Sequence, residues 1–188
     1  MQLNKTTKIL LIASSLWYFG EGLFGPLFAV YAEKIGGDLL DITWAWAFYL
    51  VTTGVFYFLI GKYYNNSAYK KHVMIVGYAL NALLTFCYMF VSNPTQLFLL
   101  QIGLGMAEAL SAPIWDSLFA SNLEDTDNTF HWSLATGHTH FVSGIAIAIG
   151  GLIANYISFN ALFLTMGIIQ LIATVVQMKL LFLSKPNK

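Results

Sequence analysis

The chain has 188 residues, 57% of them hydrophobic, 16% aromatic and only 10% charged, with a mean hydropathy of +0.66. A soluble domain carries about 25% charged residues, so this composition excludes a water-covered globule and points to lipid as the solvent. All nine basic residues are Lys, which leaves no guanidinium fork for nucleic acid, and the single Cys87 excludes an internal disulfide or a thiolate metal cluster.

A membrane-crossing helix needs about 20 mainly apolar residues. The first such run, about 9–32, follows Lys5 and Lys8 and holds Glu21 and Pro26. Val30-Tyr31-Ala32 has the form of a cleavage site, but the run is longer than a signal h-region, so it is read as a retained span. "EKIGGDLLDI" leads to a second span at 43–61, and "KYYNNSAYKK" to a third at 72–92. "SNPT" precedes the fourth, 96–120. The loop "SNLEDTDNTF", with Glu124, Asp125 and Asp127, precedes the fifth, 132–155, and "ISF" the sixth, 159–183. Each break holds turn-forming or charged residues. The runs are too long for barrel strands and do not alternate. The expectation is an all-α polytopic membrane protein, one six-helix domain over 1–188 with no room for a soluble domain.

Lysine position sets orientation. With the N-terminus inside, Lys5, Lys8, Lys62, Lys70, Lys71, Lys179, Lys185 and Lys188 all fall on the cytoplasmic side and Lys34 alone outside. That asymmetry predicts one fixed orientation in the cell membrane, with both termini cytoplasmic.

"EGLFGP" at Glu21–Pro26 and "EALSAP" at Glu108–Pro113 share the pattern Glu, small, Leu, any, small, Pro. They lie in the first and fourth spans, which run in opposite directions, and so predict a 3+3 inverted repeat of the kind found in secondary transporters. A Glu at mid-membrane costs about 2.5–3.5 kcal/mol, and such residues face a cavity or a partner. No Lys lies within a span to pair with either acid, so both are candidates for proton exchange. The plainer reading is a neutral carboxyl that holds helices together by hydrogen bonds. Pro26 and Pro113 each lack the N–H that would bond the carbonyl of Gly22 or Ala109. Both prolines, with Asp116 near the inner end of its span, are candidate kink or gate positions.

Helical stripes place further candidates beside the acids. Trp17 and Tyr18 share the Glu21 face, Gln101 and Trp115 the Glu108 face, and Ser143 lies on a small polar face of the fifth span with His140. These five, Trp17, Tyr18, Gln101, Trp115 and Ser143, are the candidate substrate contacts. His138 lies about 200° around the helix from His140, so the two face different ways; the stripe favours His140 as a third proton-coupling residue. The third and sixth spans have fewer polar groups, chiefly Asn81, Thr85, Gln170 and Gln177, and are expected to be peripheral. Gly144, Gly150 and Gly151 are expected to let helices approach. Trp44, Trp46, Tyr63 and Tyr64 fit an aromatic belt. No metal-ligand spacing, nucleophile constellation or phosphate loop is present, so neither an enzyme, a metal nor a cofactor is expected.

The chain resembles one half of a major facilitator superfamily transporter. "GPLFAVYAEKIGG" is similar to the end of that family's first helix and the loop after it. "GKYYNNSAYKK" sits where the family has its cytoplasmic loop signature: Gly61 and Lys70-Lys71 match, while Asn65-Asn66 replace an Asp-Arg pair and Ala68-Tyr69 a Gly-Arg pair. "SGIAIAIGGL" resembles the antiporter motif through Gly150 and Gly151, with Ala146-Ile147 in place of Gly-Pro. The resemblance implies solute transport by alternating access, the first, fourth and fifth helices lining the path. The family's two halves share one orientation, so a parallel homodimer would rebuild the full architecture around a small-molecule solute. A non-transporting scaffold or accessory subunit, and one half of a heteromeric transporter, stay open as alternatives.

Overall fold

A computed structural model describes residues 3–65, 67–123 and 128–183. Asn66, the acidic loop residues Glu124, Asp125 and Asp127, and Lys185 and Lys188 of the C-terminal tail lie outside the described residues.

Apolar runs that cannot leave their amides unbonded in lipid fold as helices, and here their ends are set by side-chain caps. Asn4 accepts from the Thr7 amide at 2.7 Å and starts α1 (Lys5–Phe24). Pro26 then interrupts the ladder: a 3-10 turn spans Gly25–Leu27 before α2 (Phe28–Lys34). The chain leaves α2 through Gly36, whose φ of 87° is a conformation that side chains resist. A reciprocal Asp38–Asp41 capping box opens α3 (Leu39–Tyr64). After α4 (Lys70–Cys87) and a 3-10 turn at Tyr88–Phe90, Asn93 caps α5 (Pro94–Ala120), in which Pro113 sits without ending the helix. Next come α6 (Asn128–Tyr156) and α7 (Phe159–Met178), the latter capped by Ser158 and followed by a 3-10 turn at Lys179–Leu181.

Among the described residues five helices are long and apolar enough to cross a membrane: Leu39–Tyr64, Lys70–Phe90, Pro94–Ala120, Thr129–Tyr156 and Phe159–Leu181. The first expected span is not one of them. It is covered by α1, the 3-10 turn and α2 in succession, and α1, though 20 residues long, is less apolar than the other five.

α3 packs on α5, and α6 packs on α1. α4 packs on both α5 and α7, and α7 packs also on α1. The arc is therefore α3, α5, α4, α7, α1, α6, with few contacts between α1 and α5. Contrary to the sequence expectation, α4 and α7 are central rather than peripheral. Only 17% and 11% of the apolar stretches of α3 and α6 are buried, against 44% and 39% for α4 and α7. The reason is that the few polar side chains on α4 and α7 turn inward to meet one another. Thr85 donates to Gln170 across the two helices, and Gln177 Nε2 lies 3.1 Å from the Met74 sulfur.

Two apolar clusters close the two ends of the bundle along the helix axes. One gathers Phe24, Phe28, Tyr31, Tyr88 and Phe163 in edge-on and stacked ring pairs, pinned by Tyr31 Oη donating to the Tyr88 carbonyl at 2.8 Å. The other gathers Leu10, Trp17, Met74, Tyr78 and Phe119.

Glycine sets the closest crossings. A Cβ on Gly150 of α6 would lie 1.8 Å from the Leu23 carbonyl oxygen of α1, and one on Gly105 of α5 would lie 2.6 Å from the Tyr49 carbonyl oxygen of α3. Gly144 and Gly151 have open space instead, so of the three expected contact glycines only Gly150 makes a close approach. Gly150→Ala should cost about 1–3 kcal/mol, as overpacked sites do. Gly151→Ala should be tolerated, and thermal unfolding in detergent followed by circular dichroism separates the two.

Candidate functional site

α1 and α5 share few contacts, and cavities lie between them. Because α1 is held against α6 and α5 against α3, the inward stripes of α1 and α5 face each other across the gap. Two cavities lie along it, about 270 and 280 Å³ in volume.

The first is lined from the middle and C-terminal half of α1 and from α3, α4, α5 and α6. It holds Trp17, Tyr18, Glu21, Glu108, Trp115 and Asp116, six of the candidates read from the sequence. Trp115 is fixed there by its indole N–H, which donates to the Leu10 carbonyl at 3.2 Å, and by stacking on Phe119 at 4.9 Å. Trp17 is held edge-on to Tyr78 at 4.5 Å. Three carboxyl groups therefore border one cavity with no lysine among its lining residues.

The second cavity lies toward the C-terminal end of α1. Tyr18 and Glu21 border it too, joined by Gln101 and Ser143 from the sequence candidates. Gln101 accepts from the Tyr88 hydroxyl at 3.1 Å, and Ser143 Oγ donates to the Tyr18 carbonyl at 3.4 Å. Glu21 and Tyr18 thus stand where the two spaces meet.

Three candidates lie elsewhere. His140 is exposed on α6 and lines neither cavity. It is His138 that faces α1, with Nε2 3.4 Å from Ser14 Oγ and Nδ1 3.0 Å from the Leu134 carbonyl. Pro26 is exposed in its 3-10 turn, and Pro113 sits behind the cavity wall, next to the lining residue Ala112.

Sequence reading missed α3. Tyr49 donates its hydroxyl to Glu108 while its ring lines the second cavity, stacked on Trp46 at 5.4 Å, and Tyr57 lines the first. Thr53, between them, donates to the Tyr49 carbonyl at 2.8 Å and reaches the Gly105 carbonyl at 3.3 Å. The signal was present: residues 49, 53 and 57 fall four apart, on one helical face. The belt reading fell on Trp44, Trp46, Tyr63 and Tyr64, and Tyr49 and Tyr57 between them do not stand out in a span crowded with aromatics.

A family model described as Major Facilitator Superfamily matches residues 10–188. The chain belongs to the major facilitator superfamily. It is 23% identical over 134 residues to the "Proton-coupled antiporter flippase LtaA" of Staphylococcus saprophyticus, covering 70% of this chain and 34% of that protein. It is also 23% identical over 175 residues to the "Uncharacterized MFS-type transporter MJ1560" of Methanocaldococcus jannaschii, covering 93% of this chain and 45% of that one. The chain spans less than half the length of these two curated relatives. Its apolar helices and its family make it an integral membrane protein.

The Tyr49–Glu108 bond is the direct polar link from α3 to the acid. In a double-mutant cycle of Tyr49→Phe and Glu108→Ala, we expect a coupling of about 1–2 kcal/mol in unfolding free energy. Additive effects would show that the bond contributes nothing.

Proposed function

We propose that this chain is a secondary active transporter of a small solute that works by alternating access and couples to protons through Glu21 and Glu108. The observation that carries the proposal is that Glu21 borders both cavities, so one ionisable group is reachable from either space. A carboxyl group that takes up a proton from one side and releases it to the other needs that placement. The absence of a lysine inside the bundle supports proton exchange over a fixed ion pair. The Staphylococcus relative is named as a proton-coupled antiporter, which favours the same reading here. His140, exposed and outside both cavities, would join only through a second unit packed against that face of α6.

The pairing of helices supports a six-span, 3+3 inverted repeat. If α1 with α2 is the first span, then α3 on α5 corresponds to α6 on α1, and α4 on α5 to α7 on α1, with α4 on α7 as the self-matching pair. The repeated Glu and Pro then fall on corresponding helices. Lys5, Lys8, Lys62, Lys70, Lys71 and Lys179 lie at one end of the bundle by this topology, which supports an inner or plasma membrane orientation with both termini cytoplasmic. The exposed flanks of α3 and α6 support a parallel homodimer with the solute path on its axis.

Two experiments test these readings. Vesicles loaded with the protein should show pH-gradient-driven solute uptake, and Glu21→Gln or Glu108→Gln should abolish it with folding intact; unchanged uptake in both variants rules out the proton role. Light scattering of the protein in lipid nanodiscs should return twice the 20.9 kDa chain mass. A monomer in both nanodiscs and mild detergent would overturn the homodimer.

A further inference from the structure

Three residues that line the second cavity touch one another in series, and the series ends on an acid of the first. Phe28, which opens α2 beyond the proline turn, faces Trp46 of α3 with ring centroids 5.7 Å apart. Trp46 stacks on Tyr49 at 5.4 Å, and the Tyr49 hydroxyl donates to Glu108. Phe28, Trp46 and Tyr49 line the second cavity and not the first, whereas Glu108 lines the first and not the second. The Tyr49–Glu108 bond therefore joins the wall of one space to the wall of the other.

The backbone that carries Tyr49 is held in place. Its carbonyl accepts from the Thr53 hydroxyl at 2.8 Å, and a Cβ on Gly105 of α5 would lie only 2.6 Å from the same oxygen. With the main chain fixed, the ring can change place only by turning about its side-chain bonds. Its face is stacked on Trp46 and its tip holds the acid, so a turn that disturbs one contact disturbs the other. Glu108 has no lysine among the lining residues of its cavity, and a half-buried carboxyl group without a counter-charge depends on each hydrogen-bond donor it has. The two acids of the repeated motif are thus reached differently from the second cavity. Glu21 borders it directly, and Glu108 meets it through Tyr49.

We propose that Tyr49 is the positioning residue that links the filling of the second cavity to the Glu108 carboxyl group. A group that enters the second cavity against Trp46 and Tyr49 turns the phenol ring and lifts its hydroxyl from Glu108, which leaves the carboxyl group to the first cavity alone. When the group departs, the ring returns and holds the acid again. The link rests on the transport reading above for its use, since it lets solute and proton sense one another, but it is defined by the state of one carboxyl group with no gradient present.

Infrared difference spectroscopy of the full chain in lipid nanodiscs tests it. Subtracting the spectrum of Glu108→Gln isolates the Glu108 carboxyl absorption. Tyr49→Phe keeps the ring and its stack on Trp46, and should shift that absorption by removing the hydroxyl donor. To fill the second cavity, Ser143→Cys, a lining position, is made in a Cys87→Ser background and labelled with benzyl methanethiosulfonate. The benzyl label should shift the Glu108 absorption in the same direction as Tyr49→Phe, the smaller methyl reagent should shift it less, and in Tyr49→Phe the benzyl label should shift it no further. A benzyl label that leaves the absorption in place, or moves it equally with and without the Tyr49 hydroxyl, would overturn the proposal, as would an unmoved absorption in Tyr49→Phe itself. If Tyr49→Phe does not fold, the contrast between the benzyl and methyl reagents, made on protein already folded, decides: equal shifts would overturn the link. Unimpaired uptake by the Glu21 and Glu108 variants would sink the proton role and leave this link standing, and an unmoved absorption would do the reverse.

Discussion

Carboxyl groups placed where no lysine can reach them constrain the interior of this bundle. In a medium that solvates charge poorly, Glu21, Glu108 and Asp116 need hydroxyls, amides or water. The structure supplies hydroxyls and space. Tyr49 reaches Glu108 from α3, and all three acids open onto a cavity. A tightly packed contact between α1 and α5 would have removed that space, so the polar chemistry and the sparse α1–α5 contact belong together. The arc of helices is what keeps the acids wettable.

Much of this was legible in the sequence because helix periodicity is a strong signal in lipid. Glu21, Glu108, Trp17, Tyr18, Trp115 and Asp116 meet in one cavity as their stripes implied. What failed to show was depth. Polar residues on α4 and α7 were too few to mark a cavity face by counting, yet Asn81, Thr85 and Gln170 are the ones that turn inward. Counting polar groups measures how much of a helix is wet, and says little about a helix whose few polar groups bond to each other. The two histidines of α6 illustrate a finer limit. Both lie in a polar stretch, and only the rotation of α6 about its axis, set by the Gly150–Leu23 crossing, decides that His138 meets α1.

Between the two aromatic and aliphatic clusters that seal the ends, the middle of the bundle is a layer of amides and hydroxyls on α4, α5 and α7. Hydrogen bonds between membrane helices are individually modest, about 0.6 kcal/mol on average in one series. Their directions matter more here than their strength. Tyrosine and threonine hydroxyls donate and glutamine oxygens accept, which ties α4 to α5 and to α7.

The glycine crossings carry a mechanical consequence. At Gly150 and Gly105 one helix backbone touches the next more closely than any side chain allows. The two contacts hold α1 against α6, and α5 against α3, as two close pairs. Each pair meets the rest of the bundle mainly through α4 and α7. The gap between α1 and α5 therefore opens away from the α4–α7 contact, as two leaves open from a common spine.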